Sequence, residues 1–187
     1  GDVDGDGLDD WLAGAPGAHA ARVFSAAGGA ELWRVARTHP EGPPNQQLSQ
    51  GAFGAAVSAA GDLDGDGHAD FAVGYPAYSG VWLFSGADAS VLGLYASSFT
   101  ASSNGEVLPA YFGWALAPLG DLDGDGRGEL AVGAPADSLY GDYWPGSAVV
   151  LSGGFDAPWR LAGENASLLA LTCAGDLHID AHHTIED

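Results

Sequence analysis

The sequence predicts an all-β fold assembled from small repeated sheets of four antiparallel strands. Three observations carry that prediction. A motif recurs without gaps about every 60 residues, the apolar segments are about four to eight residues long, and turn formers are abundant, with 30 Gly and 10 Pro among 187 residues. Helices would need longer runs with a 3.6-residue apolar period.

The repeat is read first because it fixes the register of everything else. GDVDGDGLDDWLAGAP begins at Gly1, GDLDGDGHADFAVGYP at Gly61 and GDLDGDGRGELAVGAP at Gly120, starts that lie 60 and then 59 residues apart. Before the second and third copies stand FGAAVSAA from Phe53 and FGWALAPL from Phe112, each Phe nine residues ahead of the first Asp of its loop. After each copy come two more apolar segments. These are Ala21 to Ser25 and Glu31 to Val35, Val81 to Ser85 and Val91 to Ala96, and Ala148 to Ser152 and Trp159 to Ala162. A unit of four short strands cannot bury both faces alone, so stacking as the blades of a β-propeller is expected. The expected organisation is an incomplete first repeat over 1–44, a second over 45–103, a third over 104–163 and a degenerate or truncated fourth over 164–187.

Composition narrows the partners. With 47% hydrophobic residues the chain can build a sizeable core, and no apolar run approaches the roughly 18 residues that span a bilayer, so no membrane insertion is expected. The formal charge of -20, with no lysine, argues against nucleic acid and anionic membrane surfaces, whose phosphates would be repelled. The four acids at recurring positions in each of the three loops make up twelve of the 25, so much of the acidity is local chemistry. Cys173 is alone, which excludes an internal disulfide. Neither an initiator Met nor a signal segment precedes the first loop, and the chain reads as a piece of something longer.

Within each loop the acids fall at positions one, three, five and nine. The first loop offers Asp2, Asp4, Asp6 and Asp10 with the backbone carbonyl of Leu8. The second offers Asp62, Asp64, Asp66 and Asp70 with that of His68, and the third Asp121, Asp123, Asp125 and Glu129 with that of Arg127. Calcium takes six to eight oxygens at roughly 2.3–2.6 Å, and a tight loop with an acid at every second position turns them around one ion. Without a cation, two carboxylates about 5 Å apart repel by roughly 3 kcal/mol at an effective dielectric of about 20. The all-oxygen set favours calcium over zinc or copper, and the high ligand number favours it over magnesium. Glu129 is one methylene longer than Asp, so the third site is expected to differ in strength or denticity. About three Ca²⁺ sites are expected. The loop is not an EF-hand, because position twelve is Ala13, Val73 or Val132 inside strand-like WLAG, FAVG and LAVG, where an EF-hand needs Glu and flanking helices.

These residues resemble the FG-GAP repeat of integrin α-subunit propellers and related bacterial proteins. Phe53-Gly54 with Gly74-Tyr75-Pro76, and Phe112-Gly113 with Gly133-Ala134-Pro135, carry the resemblance, while the first copy keeps Gly14-Ala15-Pro16. The resemblance spans most of 1–163. It implies that the acidic loop joins the first two strands of a blade, that the loop acids are metal ligands, and that recognition of a protein or glycan ligand belongs to the loops of the opposite rim. It also implies an extracellular or cell-surface setting. A seven-bladed ring of this kind needs about 420 residues, so further blades of a longer protein, or other chains, are expected to cover the open faces.

The implied function is a non-catalytic scaffold for adhesion or protein interaction with structural calcium. Two alternatives are an accessory propeller of a secreted hydrolase and a lectin-like carbohydrate-binding module. The sequence lacks a Gly-x-Ser-x-Gly elbow, His-Glu-x-x-His and a phosphate-binding Gly-x-x-x-x-Gly-Lys, so no enzyme is expected. Trp33, Trp82, Trp114, Trp144 and Trp159 are expected to pack between blades rather than form a sugar platform. The segments Thr38 to Gln50 and Ser97 to Pro109 are expected to be exposed inter-blade loops. The grouping of Cys173, Asp176, His178, Asp180, His182 and His183 reads as a worn fourth loop, and Asn165-Ala166-Ser167 as a chance glycosylation match.

Overall fold

The computed structural model describes residues 1–37, 52–96, 100–101, 108–136, 146–153 and 159–162. Thr38 to Gln50, Trp144, Asn165 and the fourth loop from Cys173 to His183 lie outside the described residues. So does most of Ser97 to Pro109, whose ends form a short hairpin, with β8 (Thr100–Ala101) pairing with β9 (Leu108–Pro109).

Three larger antiparallel sheets account for the other strands. The first runs β1 (Trp11–Ala15), β2 (Ala20–Phe24), β3 (Glu31–Ala36). The second runs β4 (Ala56–Gly61), β5 (Asp70–Tyr75), β6 (Gly80–Phe84), β7 (Val91–Ala96). The third runs β10 (Ala115–Gly120), β11 (Glu129–Ala134), β12 (Ser147–Leu151), β13 (Trp159–Ala162). Strands follow chain order in every sheet, as expected of meanders joined by tight turns. Among the described residues there is no α-helix, and no helix is long and apolar enough to cross a membrane. Two short 3-10 turns, Pro16–Ala18 and Pro76–Tyr78, join the first and second strands after the acidic loops.

The middle sheet shows why its strands read as continuous apolar runs. Side chains alternate between the two faces of a strand. Phe71, Val73 and Tyr75 of β5 therefore pack toward the first sheet with Val23 and Phe53, while Ala72 packs toward the third sheet with Leu130 and Val132. Both faces are covered, and all six residues of β5 and of β11 are buried. On β1 the pattern is different. Trp11, at the position of Phe71 and Leu130, is 70% exposed: its equivalents pack on the sheet before their own, and among the described residues no sheet precedes the first.

Sheets meet most closely where two glycines face each other. A Cβ on Gly14 would lie 2.2 Å from the carbonyl oxygen of Gly54, and one on Gly74 would lie 2.2 Å from that of Gly113. The Phe-Gly pair of each sheet thus sits against the Gly-x-Pro end of the sheet before it. Phe53 is fully buried beside Tyr75 and Phe84, and Phe112 occupies the same place in the next interface. Tryptophans join in: Trp33 Nε1 donates to the Gly86 carbonyl at 2.7 Å across the first interface, and the Arg37 guanidinium lies 3.8 Å over the Trp82 ring.

Strand direction separates two rims. The acidic loops enter β1, β5 and β11 at one end of the sheets. The 3-10 turns, the Phe-Gly pairs and the ends of β3 and β7 lie at the other, since Ala36 pairs with Ala20 and Ala96 with Gly80.

Replacing Gly74 with Ala forces a methyl into backbone, and overpacking of this kind costs about 1–3 kcal/mol. Gly17→Ala, where a Cβ meets nothing within 4 Å, should be neutral or slightly stabilising. Urea unfolding of the two variants beside the parent measures the difference, and equal stabilities would contradict the glycine contact.

Candidate metal centre

Each acidic loop is a series of carboxylates folding back on their own backbone. In the second loop Asp62 Oδ1 accepts from the N–H of Gly65 at 2.7 Å and of Asp66 at 3.1 Å, and its Oδ2 from Gly67 at 2.9 Å. Asp64 Oδ1 accepts from Asp66 N–H and Asp66 Oδ1 from His68 N–H. Such side-chain turns compete well with regular structure for Asp. They require the chain to curl, and Gly65 and Gly67 supply φ of 81° and 92°, which side chains resist.

The same bonds recur in the other loops. Asp2 accepts from Gly5, Asp6 and Gly7, Asp4 from Asp6, and Asp6 from Leu8. Asp121 accepts from Gly124 and Gly126, Asp123 from Asp125, and Asp125 from Arg127.

This folding brings oxygens together. Asp2, Asp4 and Asp6 form one group, Asp62, Asp64 and Asp66 a second, and Asp121, Asp123 and Glu129 a third, each with one carboxylate oxygen per residue within 4.8 Å of the others. Oxygens bound to a single ion at roughly 2.3–2.6 Å cannot lie farther apart than about 5 Å. The donor set is hard and anionic, and its spread fits one calcium-sized cation per loop. The seventh position of each loop, Leu8, His68 or Arg127, is fixed through its N–H, which donates at 2.8 Å to the fifth-position acid.

The ninth acid has a different place from the first three. Asp70 Oδ2 accepts from Leu63 N–H at 2.6 Å and Oδ1 from Gly86 N–H at 2.9 Å, so one carboxylate ties the start of the loop to the turn after β6. Asp10 does the same with Val3 and Ala26, and Glu129 with Leu122 and Gly153. Spacing alone gives the ninth position the standing of the others. The extra methylene lets Glu129 keep both anchors and still reach the oxygens of Asp121 and Asp123.

Burial sets the electrostatics of this anchor. Asp70 is 1% exposed. Desolvation pushes its carboxyl up to about 6 from 3.8, the N–H groups of Gly86 and Leu63 partly oppose the rise, and the charges of Asp64 and Asp66 add to it.

Successive face-packed antiparallel sheets with an acidic loop on one rim define a segment of a β-propeller. Comparison with known proteins gives its kind: residues 53–90 and 112–151 match the FG-GAP repeat family, so the chain carries two FG-GAP repeats. It is similar to integrin alpha-PS2 of Drosophila melanogaster, 36% identical over 152 residues, covering 71% of this chain and 11% of that protein. It is also similar to human integrin alpha-IIb, 35% identical over 147 residues, covering 71% and 14%, and to chicken (Gallus gallus) integrin alpha-V, 33% identical over 145 residues, covering 72% and 13%. The chain thus spans a small fraction of the length of these relatives.

In metal-free protein the folded state holds a proton on Asp70 between about pH 3.8 and about 6 that the unfolded state has lost. This group's contribution to stability therefore falls as pH rises through that window. Carboxyl ¹³C NMR should place the Asp70 midpoint near 6 without added cation, and Asp70→Asn should flatten the fall in melting temperature between pH 4 and 6. A midpoint near 4 would remove the burial argument.

Proposed function

We propose that this chain is a calcium-binding, non-catalytic propeller segment that serves extracellular adhesion or protein interaction. The observation that carries the reading is the threefold recurrence, on one rim, of a loop whose carboxylate oxygens fit one hard cation. Its ligands are the acids at positions one, three and five, the carbonyls of Leu8, His68 and Arg127, and the ninth acids Asp10, Asp70 and Glu129 as ligand and anchor together. When bound, calcium neutralises acids that otherwise repel. The chain's own part is to hold them: Gly5, Gly65 and Gly124 turn the loop, and the ninth acids lock it to the sheet.

Several features support a structural rather than chemical use of these acids. The ninth acids, the most buried carboxylates of the second and third loops, are engaged by backbone N–H groups in all three, and each loop lies where two sheets meet. The repeats themselves, with the incomplete first one at 1–44 and the fourth at 164–187, are read as consecutive blades of a longer propeller. The cation-free rim, with the ends of β3 and β7, is the surface left for a protein or glycan ligand. An extracellular or cell-surface setting fits loops of this class, whose affinities in extracellular modules run at about 10⁻⁴–10⁻³ M.

Thermal melts in EDTA, millimolar Mg²⁺ and millimolar Ca²⁺ test the reading. At these affinities, calcium near 1 mM stabilises by about 0.4–1.4 kcal/mol per site, and further sites add. A calcium-specific rise in Tm, with calorimetry giving about three sites and Asp64→Asn removing one, is expected. Equal melts in EDTA and calcium, or fewer than two sites, would overturn it.

A further inference from the structure

The loops touch one another in a regular way that their individual cation chemistry does not require. Ala69 N–H of the second loop donates to the Asp2 carbonyl of the first at 2.9 Å, and Gly128 N–H of the third donates to the Asp62 carbonyl of the second at 3.3 Å. One residue earlier, the seventh-position side chain reaches the same neighbour. His68 Nδ1 lies 2.9 Å from the Val3 carbonyl, and Arg127 Nη1 donates to the Leu63 carbonyl at 3.5 Å. The His68 ring also lies over Gly5, and the Arg127 guanidinium over Gly65.

We propose that the seventh loop position couples neighbouring cation sites, so that filling the second loop strengthens binding at the first through His68. The proposal rests on the calcium reading and adds to it a direction and a carrier. The backbone of His68 belongs to its own loop: its N–H is held by Asp66, and its carbonyl is a proposed ligand. Its side chain belongs to the loop before.

A cation in the second loop fixes the His68 backbone and thereby aims the ring at Val3. That contact falls on a peptide segment whose other bonds are already set. Val3 N–H donates to Asp10, and the Asp2 carbonyl just before it is held by Ala69. Asp2 is the acid that gathers three N–H groups and belongs to the oxygen cluster, so pinning its backbone from outside removes freedom that cation binding would otherwise have to freeze. With an acceptor carbonyl opposite, the Nδ1-protonated ring serves as the donor.

Arg127 repeats the contact on the second loop through a longer bond. Its full positive charge opposes a cation there while it holds the backbone, so the His68 link gives the cleaner sign.

The sixth-position glycines report each loop separately, because the N–H groups of Gly7, Gly67 and Gly126 donate to the first acid of their own loop. ¹H–¹⁵N NMR titration of the whole chain with CaCl₂ therefore yields three curves. The variants are His68→Ala, which keeps the backbone carbonyl, Asp64→Asn/Asp66→Asn, which disables the second loop, and the combination. Either change alone is expected to raise the calcium Kd read at Gly7 by about three- to tenfold, the worth of one neutral hydrogen bond. The combination is expected to raise it no further.

A Gly7 curve indifferent to His68 and to the second loop, or two effects that simply multiply, overturns the coupling and leaves the calcium reading standing. Absence of calcium-dependent shifts at all three glycines in the parent protein overturns both. Dispersed spectra outside the loops verify that each variant is folded.

Discussion

The contact between facing glycines sets the spacing on which the rest depends. A backbone carbonyl comes this close only to a residue without a Cβ, and Gly14 against Gly54 and Gly74 against Gly113 meet that condition at successive interfaces. The contact lies on the rim away from the acids. By holding one end of two sheets together it leaves their faces close enough for Phe53 or Phe112 to fill the interface, and it sets how the opposite ends approach. There Gly128 passes close to the Ala60 carbonyl of the sheet before it, while Gly86 passes close to Ala69 within the second sheet. The conserved-looking letters of the motif are thus two halves of one joint, one half supplied by each sheet.

Most of the fold was legible because the roughly 60-residue repeat coincides with short apolar segments bounded by turn formers. The downstream segments read as Val81 to Ser85 and Val91 to Ala96 appear as β6 and β7 within about a residue. What was not legible has physical causes. The pairs Phe53-Gly54 and Phe112-Gly113 read as strand starts, yet they sit in turns, because their role is contact with the preceding sheet rather than pairing within their own. The 3-10 turns after Ala15 and Tyr75 are marked by Pro, but their left-handed ends at His19 and Ser79 carry no glycine signal. Trp11 aligns with Phe71 and Leu130, and local sequence cannot reveal that among the described residues no sheet packs on its face. A missing partner is a non-local fact.

The site was legible to the level of residue spacing and no further. Alternating acids with glycines at the fourth and sixth positions dictate a curled loop, and the structure brings positions one, three and five of the first two loops together. Spacing could not separate the ninth acid from the others, because its distinct place depends on Ala26, Gly86 and Gly153, which lie 16 to 24 residues downstream. Nor could it show that His68 and Arg127 serve two loops at once. Both were singled out for their carbonyls, and any residue type would serve there. A histidine and an arginine at a position read only for its backbone are the signal that could have pointed to a second use for the side chain.

Charge then decides how the rim must be built. Three loops with at least four acids each stand in a row in a chain of net charge -20, and their backbones hydrogen-bond directly to one another. Left alone, the row would be pushed apart at the end of the sheets opposite the Gly14–Gly54 and Gly74–Gly113 joints. The contacts answer this with dipoles: carboxylates take N–H groups from their own loops and from the turns that follow the next strand, and His68 and Arg127 place ring and guanidinium donors over the loop before. Dipoles spread charge without removing it, and at Asp70 the charges of Asp64 and Asp66 still add a smaller share to the rise that burial imposes on the carboxyl. A divalent ion in each loop would cancel half of each loop's charge at its source. On this argument cation binding and sheet stacking are two parts of the same equilibrium, and the acidic rim is stable only to the extent that both are satisfied.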